Sequence, residues 1–420
     1  MKRILAPAIG VALAATLTLA ACSTPAPPAE PDAPVTLTLS GWGLDTTPEF
    51  QMLADGFHKA NPNVTVNVVG YDAAEYNTLL TADLGAGSGP DIITQKEVKF
   101  LPVLVDGGQL LDVSDVKLPK GIGGASSYQV DGVQYAVPYR QDSWVLYYNK
   151  DLFDAAGVDY PDGSWTWDDY DDAAAALTTA DHYGTYEHRW QSVTQGFANA
   201  QWDGDIFSGD YSYMKDLYER RLAREAAGYQ IDFATSSANS PTYPGEFGTQ
   251  HAAMLPMGTW YVATLLAQQA SGEAQDFKWG FAPIPQRDDS TVDNPVTFGD
   301  PTGFGINAAI SGDKDKVAAA KAFLAWAASA DAASMLAGIG ITPALTSDKV
   351  ANAYFAVDGV PTDDVSKFAW STHDTKPENP TSGDTAAVQT ILGTMHTEIL
   401  TKAKTVEQAF TDAEAAFKAL

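Results

Sequence analysis

Cysteine is nearly absent from this chain. Its 420 residues hold one, Cys22, so no internal disulfide can form. Positive charge is scarce as well: 25 Lys and Arg stand against 53 Asp and Glu, for a net charge of −28. Such a surface repels nucleic acid and anionic lipid headgroups and excludes polyanions as partners. Beyond Cys22 no stretch approaches the roughly 18 consecutive apolar residues of a membrane helix. The six histidines, His58, His182, His188, His251, His373 and His396, never take an i,i+4 metal-ligand spacing. Gly-x-Ser-x-Gly, His-Glu-x-x-His, Walker and strand-linked Gly-x-Gly-x-x-Gly motifs are all missing, so no resident metal or cofactor is expected. No segment repeats at a fixed period, which excludes solenoids and propellers.

The N-terminus is informative by contrast. Lys2 and Arg3 precede an apolar, small-residue stretch from Ile4 to Ala21 that closes on Leu19-Ala20-Ala21-Cys22. That pattern reads as a signal peptide over residues 1–22. Its last four residues resemble the bacterial lipobox, which implies lipidation at Cys22. Residues 23–34, rich in Pro, Ala and acidic side chains, read as a stiff tether. The remaining length exceeds one core of about 100–200 residues and predicts two domains with a cleft between them.

Periodicity then predicts an α/β fold with mixed sheets. Val35, Leu37 and Leu39 alternate with polar residues, a helix carries Phe50, Leu53 and Phe57 on one face, and Val64, Val66 and Val68 restore strand period. Helical spacing at Tyr76, Leu80 and Leu84 and the short strand at Ile92-Ile93 complete a βαβαβ start. Asp131-Gly132 predicts a hairpin, Trp144–Tyr148 a strand, and Asn149-Lys150 the start of a helix ending at Gly157. Thr166 to about Gly272 is mainly helical and aromatic-rich. Thr166 with Asp169, and Thr405 with Gln408, have capping-box spacing.

Two residue sets bear on function. Asp168, Asp169, Asp171 and Asp172 could suggest a glycosidase acid and base, but carboxylates in a first helical turn are favoured by the helix dipole. Asp203 and Asp205 are only a fragment of a calcium loop. The aromatic residues point further. Trp42, Trp165, Trp190, Trp202, Trp260 and Trp370 have polar or glycine neighbours rather than apolar periods. A Trp ring covers the C–H face of a pyranose while Asp, Asn, Gln and Arg bond its hydroxyl rim, so the mixture suits neutral carbohydrate. Ligands of open α/β sheets sit beyond the carboxyl ends of strands, where Trp42 and Gln95 fall. Arg140 and Asp142 lie where one lobe passes into the other. Asp300, in the glycine-rich run Phe298–Ile306, joins this set, and Thr259 is expected to cap a helix whose first turn carries Trp260.

These residues resemble a known family: the extracellular solute-binding proteins of carbohydrate ABC importers, the group containing maltose-binding protein. The resemblance is carried by Gly89-Pro90-Asp91-Ile92, by Tyr135–Tyr139 followed by Leu146–Phe153, by Ala253-Met254 to Gly258-Thr259-Trp260, and by Gly303–Ile306. Between Trp190 and Gly248 the chain departs from the family pattern. The resemblance implies two discontinuous lobes, residues 35–142 with 302–346 and residues 143–301 with 347–420, closing on sugar about a hinge. It implies that Trp260 stacks on a sugar ring, with Trp42, Gln95, Arg140 and Asp142 at ligand positions; the candidate set is completed by Trp202, Asp300 and Trp370. The expected partners are a di- or oligosaccharide and membrane permease subunits, for a monomer held by its lipid at the outer face of the cytoplasmic membrane, with no enzymatic step. The rival readings are a secreted glycoside hydrolase, a polyol-binding protein and a surface adhesin.

Overall fold

The computed structural model describes residues 34–420. The signal peptide, Cys22 and nearly all of the tether lie outside the described residues. The strands in chain order are β1 (Val35–Trp42), β2 (Val64–Tyr71), β3 (Ile92–Gln95), β4 (Gln129–Val130), β5 (Val133–Gln134), β6 (Ala136–Gln141), β7 (Trp144–Asn149), β8 (Tyr183–Thr185), β9 (Ala252–Gly258), β10 (Trp279–Pro283), β11 (Val296–Phe298), β12 (Pro301–Ile306) and β13 (Asp374–Lys376).

The first sheet runs β2-β1-β3-β12-β6. β1 lies parallel to β2 and β3, and β12 runs antiparallel to β3 and β6. Leu37 and Leu39 point into a core with Phe50 and Phe57 of the helix Glu49–Ala60 and with Phe304 and Phe323. Tyr139 stacks on Phe304 with centroids 4.3 Å apart. The helix stops at Asn61-Pro62, where the Asn61 N–H closes on the Phe57 carbonyl. Asp131 and Gly132 both take positive φ, 51° and 79°, the two-residue turn that joins β4 to β5.

The second sheet runs β10-β7-β9-β8, with β7 fully buried at its centre. Its core gathers Leu146, Tyr147, Met254, Leu265 and Phe281 with Val388 and Leu392 of the C-terminal helix Thr385–Leu400. Asn149 ends β7 and accepts from the Leu152 N–H, capping the helix Lys150–Ala156, and Gly157 closes it with φ 67°. Both capping boxes form, at Thr166 with Asp169 and at Thr405 with Gln408.

The fold is therefore two-lobed, with each lobe assembled from separate pieces of chain. Three segments run between the two cores, around Gln141–Ser143, Gly299–Asp300 and Ile341–Leu345. They touch closely: Gln141 N–H donates to the Thr342 carbonyl, and a Cβ on Gly299 would lie 2.1 Å from the Asp142 carbonyl oxygen. Glycine is required there because the crossing strands leave no room for a side chain. Among the described residues no helix is long and apolar enough to cross a membrane.

Candidate functional site

The crossing segment after β6 carries a buried ionic group. Arg140 is 9% exposed. Its Nη1 lies 2.7 Å from Glu49 Oε2, and its Nε and Nη2 each lie 2.8 Å from Asp142 Oδ2. Tyr139 donates its hydroxyl to Glu49 and Thr259 donates to Asp142, at 2.9 and 3.0 Å. Burial opposes the Arg140 charge, but Asp142 and Glu49 outweigh it and hold the guanidinium firmly protonated. Arg140 and Asp142 thus face each other as an internal ion pair that ties three elements of both lobes together. Thr259 does not cap the following helix: its hydroxyl is engaged by Asp142, and no side chain caps the helix Tyr261–Ser271.

Trp260 follows directly and stands half-buried at that helix start. A Cβ on Gly258 would fall 1.9 Å from its ring, so the bare glycine backbone is what the indole lies against. Its edge meets Trp144 at 5.5 Å. Trp144 in turn meets Trp190, 41% exposed, at 6.5 Å. His188 and Tyr243 support Trp190 from behind at 4.3 and 5.8 Å. The second lobe therefore carries Trp260 and Trp190 on either side of the buried Trp144, a shelf of which only Trp260 is in the predicted site set. Trp190 stands out in sequence as a loop tryptophan; nothing in the residue pattern singles out Tyr243.

The first lobe answers with Trp42, at the carboxyl end of β1. Phe50 and Tyr76 hold it edge-on at 5.0 Å each, and Lys96 Nζ sits 5.4 Å from its ring. Gln95 differs from expectation. It is the last residue of β3, 2% exposed, with its side-chain amide nitrogen beside Gly305 and without an acceptor among the described residues. It lies beneath the lobe surface.

A second acidic group lies in the crossing segment at Asp300. Asp300 accepts from the Glu378 N–H at 2.9 Å and from Asn379 Nδ2 at 3.3 Å. Burial pushes the Asp300 carboxyl up to about 6, and burial followed by the Asp300 charge pushes Glu378 up to about 8. Lys99, paired with Glu97 at 2.7 Å, feels both carboxyls: burial opposes its charge, but Glu97, Glu378 and Asp300 carry it upward. Glu378 and Lys99 are not legible as site residues in the sequence, because neither belongs to a spaced motif.

Two predicted residues fall elsewhere. Trp202 ends the helix Ser192–Gln201 with Arg287 at 5.3 Å from its ring. Ten residues at 1.5 Å rise separate it by about 15 Å from the helix start beside Trp190. Trp370 is 4% exposed on the helix Asp364–Ser371 and packs on Tyr354 at 5.0 Å. It lines a groove beside Gln141, not the aromatic shelf. The acidic run at 168–172 is structural: Asp169 belongs to the capping box, and Asp168 and Asp171 each pair with Arg220 at 2.7 Å.

Partly exposed tryptophans on both lobes, with carboxylates and cationic groups in the same lobes, suit reversible binding of a hydroxyl-rich molecule. Comparison with known proteins agrees. A putative binding protein of Brucella abortus is 25% identical over 261 residues, 60% of this chain and 63% of that protein. The matched stretch thus spans under two thirds of its length. A sugar transporter structure from Rhizobium etli, in an open conformation, superposes with a TM-score of 0.79 at 29% identity, covering 92% of this chain and 99% of that one. An ABC substrate-binding protein from Listeria monocytogenes, in complex with cycloalternan, superposes with a TM-score of 0.76 at 21% identity over 92% and 98%. The model of the bacterial extracellular solute-binding proteins, a family of binding proteins rather than enzymes, matches residues 43–334, and the chain belongs to that family.

Proposed function

We propose that this protein is the solute-binding component of an ABC importer. It captures a neutral di- or oligosaccharide between its lobes and delivers it to a membrane permease. The feature that supports the reading is the aromatic wall each lobe carries, Trp42 on one and Trp260 with Trp190 on the other, together with the Glu49–Arg140–Asp142 group in the segment that joins them. A sugar ring offers these walls its C–H faces and offers Glu378, Asp300 and Lys99 its hydroxyls. The Listeria protein's complex with cycloalternan supports an oligosaccharide. The lobes we assign are residues 35–142 with 302–346 and residues 143–301 with 347–420. Their closure removes water from the ligand and needs no covalent step. The chain works as a monomer, tethered through lipidated Cys22 at the outer face of the cytoplasmic membrane.

Tryptophan fluorescence of the protein lacking residues 1–22, titrated with mono- and oligosaccharides, tests the reading. A saturable change with one saccharide that is recovered intact is the expected result. Cleavage of the sugar would replace transport by hydrolysis, and silence across the panel would refute the sugar ligand.

A further inference from the structure

The segment that carries the chain from one lobe to the other clasps the end of β9. The Thr259 N–H donates to the Ser143 carbonyl at 2.9 Å. The Thr259 hydroxyl accepts from the Ser143 N–H at 3.3 Å and donates to Asp142 Oδ1 at 3.0 Å. One residue earlier, Gly258 pairs in register with Trp144, and its carbonyl accepts from the Tyr147 hydroxyl at 3.1 Å. The Thr259 carbonyl accepts from the Val262 N–H at 3.1 Å, where the helix Tyr261–Ser271 begins. Thr259 is thus fixed through its N–H, its carbonyl and its side chain, and Trp260 is the next residue along.

The acceptor Asp142 is itself oriented. Arg140 sets Nε and Nη2 on Oδ2, at 2.8 Å each, which leaves Oδ1 for Thr259. Nη1 of the same guanidinium reaches Glu49 Oε2 at 2.7 Å, at the start of the first lobe's helix Glu49–Ala60. A relay therefore runs Glu49–Arg140–Asp142–Thr259 and ends beside Trp260. All four of its side chains are buried, and its charge-assisted bonds are of the strong, directional kind. Thr259 is 0% exposed, so it cannot touch a ligand itself. Trp260 is half-buried and can. Its ring lies against the Gly258 backbone and the edge of Trp144, so the direction in which the backbone leaves Thr259 decides where the indole stands.

We infer that Thr259 is a positioning residue for Trp260: its hydroxyl, held by Asp142 at the end of the relay, sets the indole where a sugar ring is met. What Trp260 meets there rests on the saccharide reading; where Thr259 holds the ring does not. A relay that starts in one lobe and ends at the other lobe's stacking residue also makes bending of the crossing segment felt at the indole.

The test uses the protein of residues 23–420, labelled with ¹⁵N at its tryptophans, first without ligand. The Trp260 indole N–H signal is identified by its absence in Trp260→Phe. Thr259→Val keeps the side-chain shape and removes the hydroxyl; it should move the Trp260 signal while the Trp42 signal stays. Thr259→Ser restores the hydroxyl and should leave both in place. A Trp260 signal that Thr259→Val does not move overturns the proposal, and so does a Thr259→Ser protein that behaves like Thr259→Val. Binding is then titrated with maltose, maltotriose and cycloalternan. Affinity should fall about 2- to 30-fold in Thr259→Val and return in Thr259→Ser. In a Trp260→Ala background Thr259→Val should cost nothing further. A loss that persists undiminished in that background overturns the positioning role, because a merely structural effect would add to the first. Should Thr259→Val fail to fold, Thr259→Cys, whose thiol is a weaker donor and acceptor, is read by the same signals. A parent protein that binds none of these sugars counts against the saccharide reading alone, and the ligand-free signals still decide the role of Thr259.

Discussion

Replacing Arg140 by Met removes the cation from a site that is otherwise two carboxylates. Arg140 Nη1 lies 2.7 Å from Glu49, and Nε and Nη2 lie 2.8 Å from Asp142. The Glu49 and Asp142 side chains are only 3% and 5% exposed, so water cannot replace the guanidinium. Deleting one partner of such a buried group costs about 3–5 kcal/mol, because the remaining charge stays desolvated. At about 2–4 °C per kcal/mol for lobes of this size, the melting temperature should fall by about 6–20 °C. Screening by salt should be slight, since the charges are shielded from solvent. Differential scanning calorimetry of Arg140→Met gives the first value. The triple variant Glu49→Gln/Arg140→Met/Asp142→Asn then removes the orphaned charges while leaving acceptors for Tyr139 and Thr259. It should recover much of the loss. A single variant that loses less than about 1 kcal/mol, the range of exposed pairs, would show that the group is hydrated. A triple variant no more stable than the single one would refute the charge argument itself.

Three further outcomes follow from the same geometry. Trp260→Ala should weaken saccharide binding by about 2 kcal/mol or more, roughly 30-fold, as removal of a central aromatic anchor does; isothermal titration calorimetry reads it, and an unchanged affinity removes Trp260 from the site. Gly258→Ala places a methyl where the Trp260 ring now lies, 1.9 Å away, so the ring must leave its shelf. Binding should fall nearly as far as in Trp260→Ala, and a crystal structure with the indole unmoved would contradict this. Glu378 has its carboxyl raised from the ordinary 4.5 to about 8 by burial and by Asp300. The folded state therefore holds more protons than the unfolded one between those values, and stability falls as pH rises through that window. Glu378→Gln should remove this slope, so that its melting temperature gains on the parent protein from pH 5 to pH 9; parallel profiles would count against a buried, proton-holding Glu378.

How far sequence reaches is visible residue by residue. Local rules reach most elements, because alternation at Val35–Leu39, the Asp131-Gly132 turn, the Asn149 cap and the two capping boxes are each decided within a few residues. Position at a strand end is enough to leave Trp42 partly exposed at the carboxyl end of β1. The same rule misplaces Gln95, since whether a strand-end side chain faces out depends on what packs beneath it, here Gly305. Thr259 looks like a cap because its local context allows one, and only the distant Asp142 explains why its hydroxyl goes elsewhere.

The departures share one physical origin. Whether Arg140 reads as a ligand contact or an ion-pair member depends on Glu49, some 90 residues away in sequence and brought in by the first helix. Trp202 and Trp260 have equally polar neighbours, but a ten-residue helix carries the first about 15 Å away while a glycine seats the second on the shelf. Sequence thus names the kinds of side chain a sugar site needs, and long-range packing selects which copies meet. That division explains why Glu378 escapes notice: it is an ordinary residue in sequence until Asp300, 78 positions away, accepts its backbone N–H. Asp300 is accordingly a positioning residue as much as a charge. Asp300→Ala would release the backbone at Glu378 and Asn379, and should weaken saccharide binding even in Glu378→Gln protein, where the charge interaction between the two carboxyls is already gone. Additive losses in that double variant would assign Asp300 to geometry; a loss that vanishes in the Glu378→Gln background would assign it to charge alone.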